Sequence, residues 1–161
     1  MQTANKLPLQ LDAIIDAPFG AVGVFIFNEQ VSIKLLTEKQ IAKSAKNKTV
    51  QIIASQIIAY FHNVNHDFIL PVNQHGTPFQ QRVWQAIRAI PCGQVITYGE
   101  LAAQIGSGSR AVANACGANN LPLIVPCHRV VAKNGLGGFM QGNVDGLKIK
   151  RWLLKHEGFS F

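Results

Sequence analysis

Acidic side chains are scarce in this chain, cysteines are few, and no hydrophobic run is long enough to cross a membrane. Eight Asp and Glu stand against fifteen Lys and Arg, a formal net charge of +7, so the expected counterpart is a polyanion rather than a cationic partner. The three cysteines, Cys92, Cys116 and Cys127, have neither the pairing of a disulfide framework nor the spacing of a zinc site. They fit a reducing compartment, and no metal is expected. The most apolar early stretch, residues 17–27, is broken by Pro18 and two glycines, and acidic residues precede it where a signal peptide would carry lysines. It reads as a turn and a buried strand. The protein is therefore expected to be cytoplasmic, without membrane attachment. Hydrophobic residues make up 48% of the chain, enough for a packed core, and no low-complexity stretch points to disorder.

The charge is unevenly spread. Residues 1–74 carry six basic and five acidic side chains, whereas residues 75–161 carry nine and three. The first part reads as a small α/β domain, 1–74. Residues 20–27 are rich in strand formers, and Asn28-Glu29-Gln30 is a hairpin turn into residues 31–35. Apolar residues at 50, 53, 57, 58 and 61 give a helical stripe, and Phe68-Ile69-Leu70 is a candidate strand. His62, His66 and Asp67 are read as solvated rather than as metal ligands, and no catalytic group is evident in this half. A linker over residues 72–76 leads into a mostly helical domain, 75–161. Thr77 before Pro78 reads as a helix cap with proline in the first position. Phe79, Val83, Trp84 and Ile87 form the apolar stripe, and Pro91-Cys92-Gly93 ends the helix. Thr97 caps a second helix through Gln104, Gly106-Ser107-Gly108 turns the chain, and Ser109 opens a third helix to about Cys116. Helix, glycine-containing turn, helix is the pattern of a helix-turn-helix.

Beyond it, the apolar run Leu123-Ile124-Val125 reads as strand-like and leads into Pro126-Cys127-His128-Arg129-Val130. A thiol with an ordinary pKa near about 8.5 is mostly protonated at neutral pH and needs a base or a cation to become a strong nucleophile. His128 is placed to take the proton, directly or through a water, and Pro126 restricts the backbone that aims the thiol. Alone, the Cys-His pair fits equally a buried structural cysteine beside a surface histidine.

The surrounding motifs extend the reading. Gly76-Thr77-Pro78-Phe79-Gln80, Val83-Trp84, Ile90-Pro91, Gly93 and Thr97-Tyr98-Gly99-Glu100-Leu101-Ala102 occur in order. Arg110-Ala111-Val112, Asn119 with Pro122, the Pro-Cys-His-Arg-Val core and the run from Lys150 to Gly158 follow. This ordered series, covering about half the chain, resembles the O6-alkylguanine–DNA alkyltransferases (methylated-DNA–protein-cysteine methyltransferases). The resemblance implies a ribonuclease-H-like α/β unit (small antiparallel sheet plus helix) followed by a winged-helix-like domain carrying the helix-turn-helix. It implies DNA repair by direct damage reversal: one irreversible transfer of an alkyl group from O6-alkylguanine, and by extension O4-alkylthymine, to Cys127, with no cofactor. The partner is double-stranded DNA bound through its minor groove, with no obligate protein partner and a monomer as the default.

By the same resemblance His128 is the base, Glu157 stabilises its imidazolium, Asn119 braces the network, and Tyr98 reaches a ring nitrogen of the flipped base. Asn119 could equally hold the turn before Pro122, and Tyr98 could be a packing residue. Arg110 fills the space vacated by base flipping, or contacts a phosphate. Thr97, Ser109, Ala111, Ala113 and Asn114 make up the rest of the DNA face; its small side chains suit close approach to a minor groove with little base readout. Val130, Pro122, Phe139, Met140 and Gln141 wall the substrate pocket, where the carbonyls of Cys127 and Val130 accept from the guanine amine.

Several positions depart from the family pattern. Phe139 stands where many members have tyrosine, with one residue fewer before it and extra residues near 143–147. Asn119-Asn120 replaces Asn-Pro, and Ala113-Asn114 replaces Gly-Gly. A non-catalytic lesion-binding protein is the alternative reading, disfavoured because Cys127, His128 and Glu157 are all retained. A cysteine hydrolase lacks a readable oxyanion hole. A transcription factor is disfavoured by the small-residue readout helix.

Overall fold

Asn28 and Glu29 both take positive φ, 50° and 63°, the two-residue turn whose twist matches that of a hairpin. They join β2 (Gly20–Phe27) to β3 (Gln30–Leu36), closing on the pair Phe27 and Gln30. A further strand, β1 (Ala13–Ala17), which the sequence reading lacked, pairs antiparallel with the other edge of β2, giving the order β1-β2-β3. The structure is a computed structural model that describes residues 10–69, 73–139 and 144–159.

Helix α1 (Lys48–His62) packs on this sheet. Asn47 caps it, its side chain accepting from Val50 N at 3.1 Å, a bond worth about 1 kcal/mol. Its buried stripe is Val50, Ile53, Gln56, Ile57 and Tyr60. The expected stripe is corrected at two positions. Ile58 points outward and Tyr60 is the fully buried ring, with Phe61 only half-buried, as a 3.6-residue period through Val50, Ile53 and Ile57 requires. Gln56 is buried because its amide closes both backbone groups of Ile69, at 2.8 and 2.6 Å. That also corrects the strand expected over Phe68 and Ile69: both lie in unpaired coil, where a side chain satisfies the Ile69 backbone. Leu70 and Val72 lie outside the described residues. His66 is half-buried, its ring edge-on to Phe68 at 5.3 Å, so of the paired histidines only His62 is a surface group.

In the second half, α2 (Pro78–Arg88) opens with a full capping box between Thr77 and Gln80. It stops at Arg88, earlier than Pro91-Cys92-Gly93, because tighter bonds from Ala89 and Ile90 close its last turn. Helix α3 (Tyr98–Ile105) has the equivalent box between Thr97 and Glu100 and ends on Gly106 in the left-handed region, φ 70°. Helix α4 (Ser109–Gly117) follows, and Trp84 of α2 donates its indole N–H to Ala115 O at 2.8 Å, fixing α4 against α2. A short parallel pair, β4 (Ile96–Thr97) with β5 (Val130–Val131), ties the start of α3 to the chain just after Cys127. Helix α5 (Val144–His156) completes the fold.

The run Leu123-Ile124-Val125 is buried but is no strand. Val125 N bonds Leu121 O at 2.9 Å, and Leu123 sits at φ +78°, a conformation that costs a non-glycine residue roughly 1 kcal/mol. One cluster of buried apolar residues runs through both halves of the chain. Phe19 and Phe61 meet Trp152 of α5 edge-on at 5.5 and 5.9 Å.

Candidate active site

Pro126 and the 3₁₀ turn Cys127–Arg129 point two consecutive side chains inward, leaving Cys127 6% and His128 1% exposed. Glu157, just past the end of α5, receives the histidine, with His128 Nε2 and Glu157 Oε2 2.7 Å apart. The same carboxylate accepts from Arg129 Nε at 2.8 Å and Nη2 at 3.1 Å, and from the Tyr60 hydroxyl at 2.6 Å. Burial alone would raise this carboxyl, but hydrogen bonds and charge from His128, Arg129 and Tyr60 outweigh it and hold it well below the usual carboxylate range. Burial lowers the His128 pKa from its ordinary value despite Glu157, so the resting ring is neutral at pH 7. An ionised carboxylate on Nε2 keeps the ring proton there. The basic lone pair is then on Nδ1, which has no partner among the described residues.

The Cys127 thiol is pushed up by the neighbouring Cys116 side chain and by burial, and its Sγ donates to Cys116 O at 3.8 Å. Asn119 Nδ2, 3.2 Å from Sγ, and the Lys150 ammonium pull the other way. Asn119 Nδ2 also donates to Val125 O at 2.9 Å, and Oδ1 accepts from Leu121 N at 3.0 Å, bracing the turn that includes Pro122. Such a site holds a protonated thiol at rest and carries the groups to deprotonate it on demand.

Tyr98, the first residue of α3, donates its hydroxyl to Gly138 O at 3.3 Å, and burial raises its pKa to about 12, so it remains a donor. Gly137 (φ +75°) lies under this ring, where a Cβ would come within 2.9 Å of Tyr98 Cε2. Phe139 is buried beside the loop, whereas Met140 and Gln141 lie outside the described residues. The two carbonyls expected to read guanine are each already used once. Cys127 O accepts from Val130 N, and Val130 O accepts from Lys150 Nζ at 2.7 Å. Lys150 is fully buried, donates also to Gly138 O at 2.9 Å, and is lowered to about 8 by burial.

The expected DNA face is open. Ser109, Arg110, Ala111, Ala113 and Asn114 are all exposed on α4. Thr97 is half-buried, and its hydroxyl is engaged with Glu100 in the α3 cap. Sequence reasoning missed Tyr60 and Gln74, both outside the half thought to hold the chemistry. Helical spacing from Ile57 predicts that residue 60 is inward, but nothing local predicts its partner. Arg129 and Lys150 stood inside recognised motifs without an assigned part. Among the described residues no group of three or more His, Cys, Asp or Glu is arranged to hold a metal ion.

A buried thiol, a histidine held by an ionised carboxylate and an exposed helix-turn-helix beside them make up a candidate cysteine-centred site. Residues 78–159 match the family profile described as 6-O-methylguanine DNA methyltransferase, DNA binding domain, and the chain belongs to that family. It is 56% identical over 86 residues to a methylated-DNA–protein-cysteine methyltransferase of Salmonella typhimurium, a match covering 52% of this chain. The chain thus spans about half, 48%, of that relative's length. A probable methylated-DNA–protein-cysteine methyltransferase of Acanthamoeba polyphaga mimivirus is 42% identical over 147 residues, 89% of this chain and 94% of the relative. The crystal structure of the Mycobacterium tuberculosis O6-methylguanine methyltransferase superposes with a TM-score of 0.72 at 32% identity, covering 92% of this chain and 93% of that one. The same organism's OGT in complex with DNA gives 0.69 at 33%, covering 90% and 91%.

Proposed function

We propose that the chain repairs alkylated DNA by direct reversal, taking the alkyl group from O6 of guanine onto Cys127 in a single irreversible turnover. The observation that carries this reading is the commitment of His128 Nε2 to Glu157 at 2.7 Å, which leaves Nδ1, unpartnered among the described residues, as the base that takes the thiol proton through a water. His128 takes the thiol proton and Glu157 stabilises the imidazolium. Asn119 and Lys150 stabilise the thiolate, which attacks the alkyl carbon opposite O6. The S–C bond forms, the C–O6 bond breaks, and its electron pair passes into the guanine ring. The Tyr98 hydroxyl leaves Gly138 O to donate to a ring nitrogen as that charge develops. The product is a thioether on Cys127, which no group in the site can cleave, so turnover stops. O4-alkylthymine presents a comparable ether and falls within the proposal.

The substrate inside a duplex is out of line for a thiol, so the nucleotide must be flipped out, at a cost of about a few kcal/mol. Exposed Arg110, at the start of α4, is assigned to the vacated space, and the small side chains of α4 to the minor groove. We assign DNA binding and transfer to residues 75–161, a winged-helix-like domain. Residues 1–74 form a supporting unit related to ribonuclease H. Every group the transfer needs is carried by the chain and the lesion, so a cofactor-independent, monomeric, cytoplasmic protein is part of the same reading.

Cys127→Ser tests it. Transfer from a duplex carrying O6-methylguanine should vanish while binding to that duplex stays within about 3-fold, because the thiol contributes to chemistry and little to the DNA surface. Normal transfer by this variant would end the proposal.

A further inference from the structure

Gln74 lies in the segment joining the two halves, outside residues 78–159, and is buried at 7% exposure. Its Nε2 donates to two side-chain oxygens at once, Asn119 Oδ1 at 2.8 Å and Asn120 Oδ1 at 3.0 Å. Its own carbonyl is held by Gln81 Nε2, from the first turns of α2. With Leu121 N on the second lone pair of Asn119 Oδ1, the acceptor end of that amide is filled. The donor end faces Cys127 Sγ at 3.2 Å and Val125 O at 2.9 Å. Asn120, which stands where the family usually has proline, is tied to the sheet. Its Nδ2 donates to Ser32 Oγ at 3.1 Å and Val31 O at 3.4 Å, and its carbonyl accepts from Ile33 N at 2.9 Å. A continuous polar chain therefore runs from β3 through Asn120, Gln74 and Asn119 to the sulfur. An amide whose oxygen accepts two hydrogen bonds donates more strongly through its nitrogen, and a buried thiolate is costly without such a donor.

We propose that Gln74 is a positioning residue for the transfer: by filling the oxygen ends of both asparagine amides it keeps Asn119 Nδ2 aimed at the Cys127 sulfur as negative charge forms there. This rests on Cys127 being the nucleophile. The effect is graded rather than absolute, since Leu121 N and Val125 O still orient Asn119 when Gln74 is lost.

Two variants separate positioning from mere packing. Gln74→Met keeps length and burial and removes the donor. Gln74→Glu presents a carboxylate to two amide oxygens and drives them to turn over. The readout is the rate of Cys127 alkylation by iodoacetamide against pH, with the adduct located by fragmentation and melting curves recorded alongside. The apparent thiol pKa should rise by about half a unit in Gln74→Met and about one unit in Gln74→Glu, slowing methyl transfer near pH 7 by roughly 3- and 10-fold. In an Asn119→Ala background Gln74→Met should add nothing. An unchanged pH profile in folded Gln74→Met overturns the proposal, and so does an undiminished shift in the Asn119→Ala background. If the iodoacetamide profile shifts as expected while even the wild type takes no methyl group from O6-methylguanine, the positioning stands and the transfer reading fails.

Discussion

Three donors converge on one buried carboxylate, and that convergence sets the chemistry of its neighbour. Tyr60, Arg129 and His128 all reach Glu157 within 3.1 Å, which keeps it ionised and keeps the imidazole proton on Nε2. Glu157→Gln removes the charge and turns an N–H₂ toward groups that themselves donate. We predict a loss of roughly 3 kcal/mol or more in unfolding free energy and a fall of about 100-fold in transfer rate near pH 7. The carboxyl's pKa lies below its unfolded value of 4.5, so its contribution is full above that pH and is lost as pH falls through the folded value. His128 is likewise depressed below 6.5; its contribution is full above that value and fades as pH falls toward the folded one. Urea midpoints should therefore decline from about pH 6.5 downward, the histidine acting first, and Glu157→Gln should flatten the decline below pH 4.5. A wild-type midpoint that stays level across this range would contradict the assignment. Cys127, His128 and Glu157 were legible in the sequence because they sit inside recognisable motifs. Tyr60 and Gln74 were not, because their partners lie 97 and 45 residues away and contacts at such separations leave no local pattern.

Elements were readable where the chain writes its own punctuation. Thr77 and Thr97 read as caps, and in the structure each closes a capping box, with Gln80 and Glu100, while Asn28-Glu29 turns the hairpin. An apolar run does not by itself imply strand pairing. Leu123-Ile124-Val125 is apolar because the turn carrying Cys127 is buried, and Ile69 is satisfied by the side chain of Gln56. Helix α4 was placed correctly by the glycines before it, and its exposed Arg110 carries the element-scale prediction. Arg110→Ala should slow transfer from duplex DNA by at least about 10-fold, while reaction with free O6-methylguanine stays within about 2-fold, because only the duplex requires a base to be flipped. Single-turnover rates on both substrates check this, and equal losses would remove Arg110 from the flipping step.

Across the whole molecule, a basic helical half and a nearly neutral α/β half share one apolar core. The charge asymmetry was visible in the sequence. The sharing was not, since it depends on α1 and β3 meeting α5 and the Asn119-Asn120 turn. The α/β half consequently contacts the candidate site, through Tyr60 on Glu157 and through β3, Asn120 and Gln74 on Asn119. The central claim is stoichiometric alkyl transfer to Cys127. Its most direct test is mass spectrometry after mixing the protein with a duplex bearing one O6-methylguanine, with fragmentation of the tryptic peptide over residues 111–129, which holds both Cys116 and Cys127. One methyl group per chain, on Cys127, is expected, with no second turnover in excess substrate. Repeated turnover, a methyl group on Cys116, or tight binding to the lesion with no adduct would contradict it.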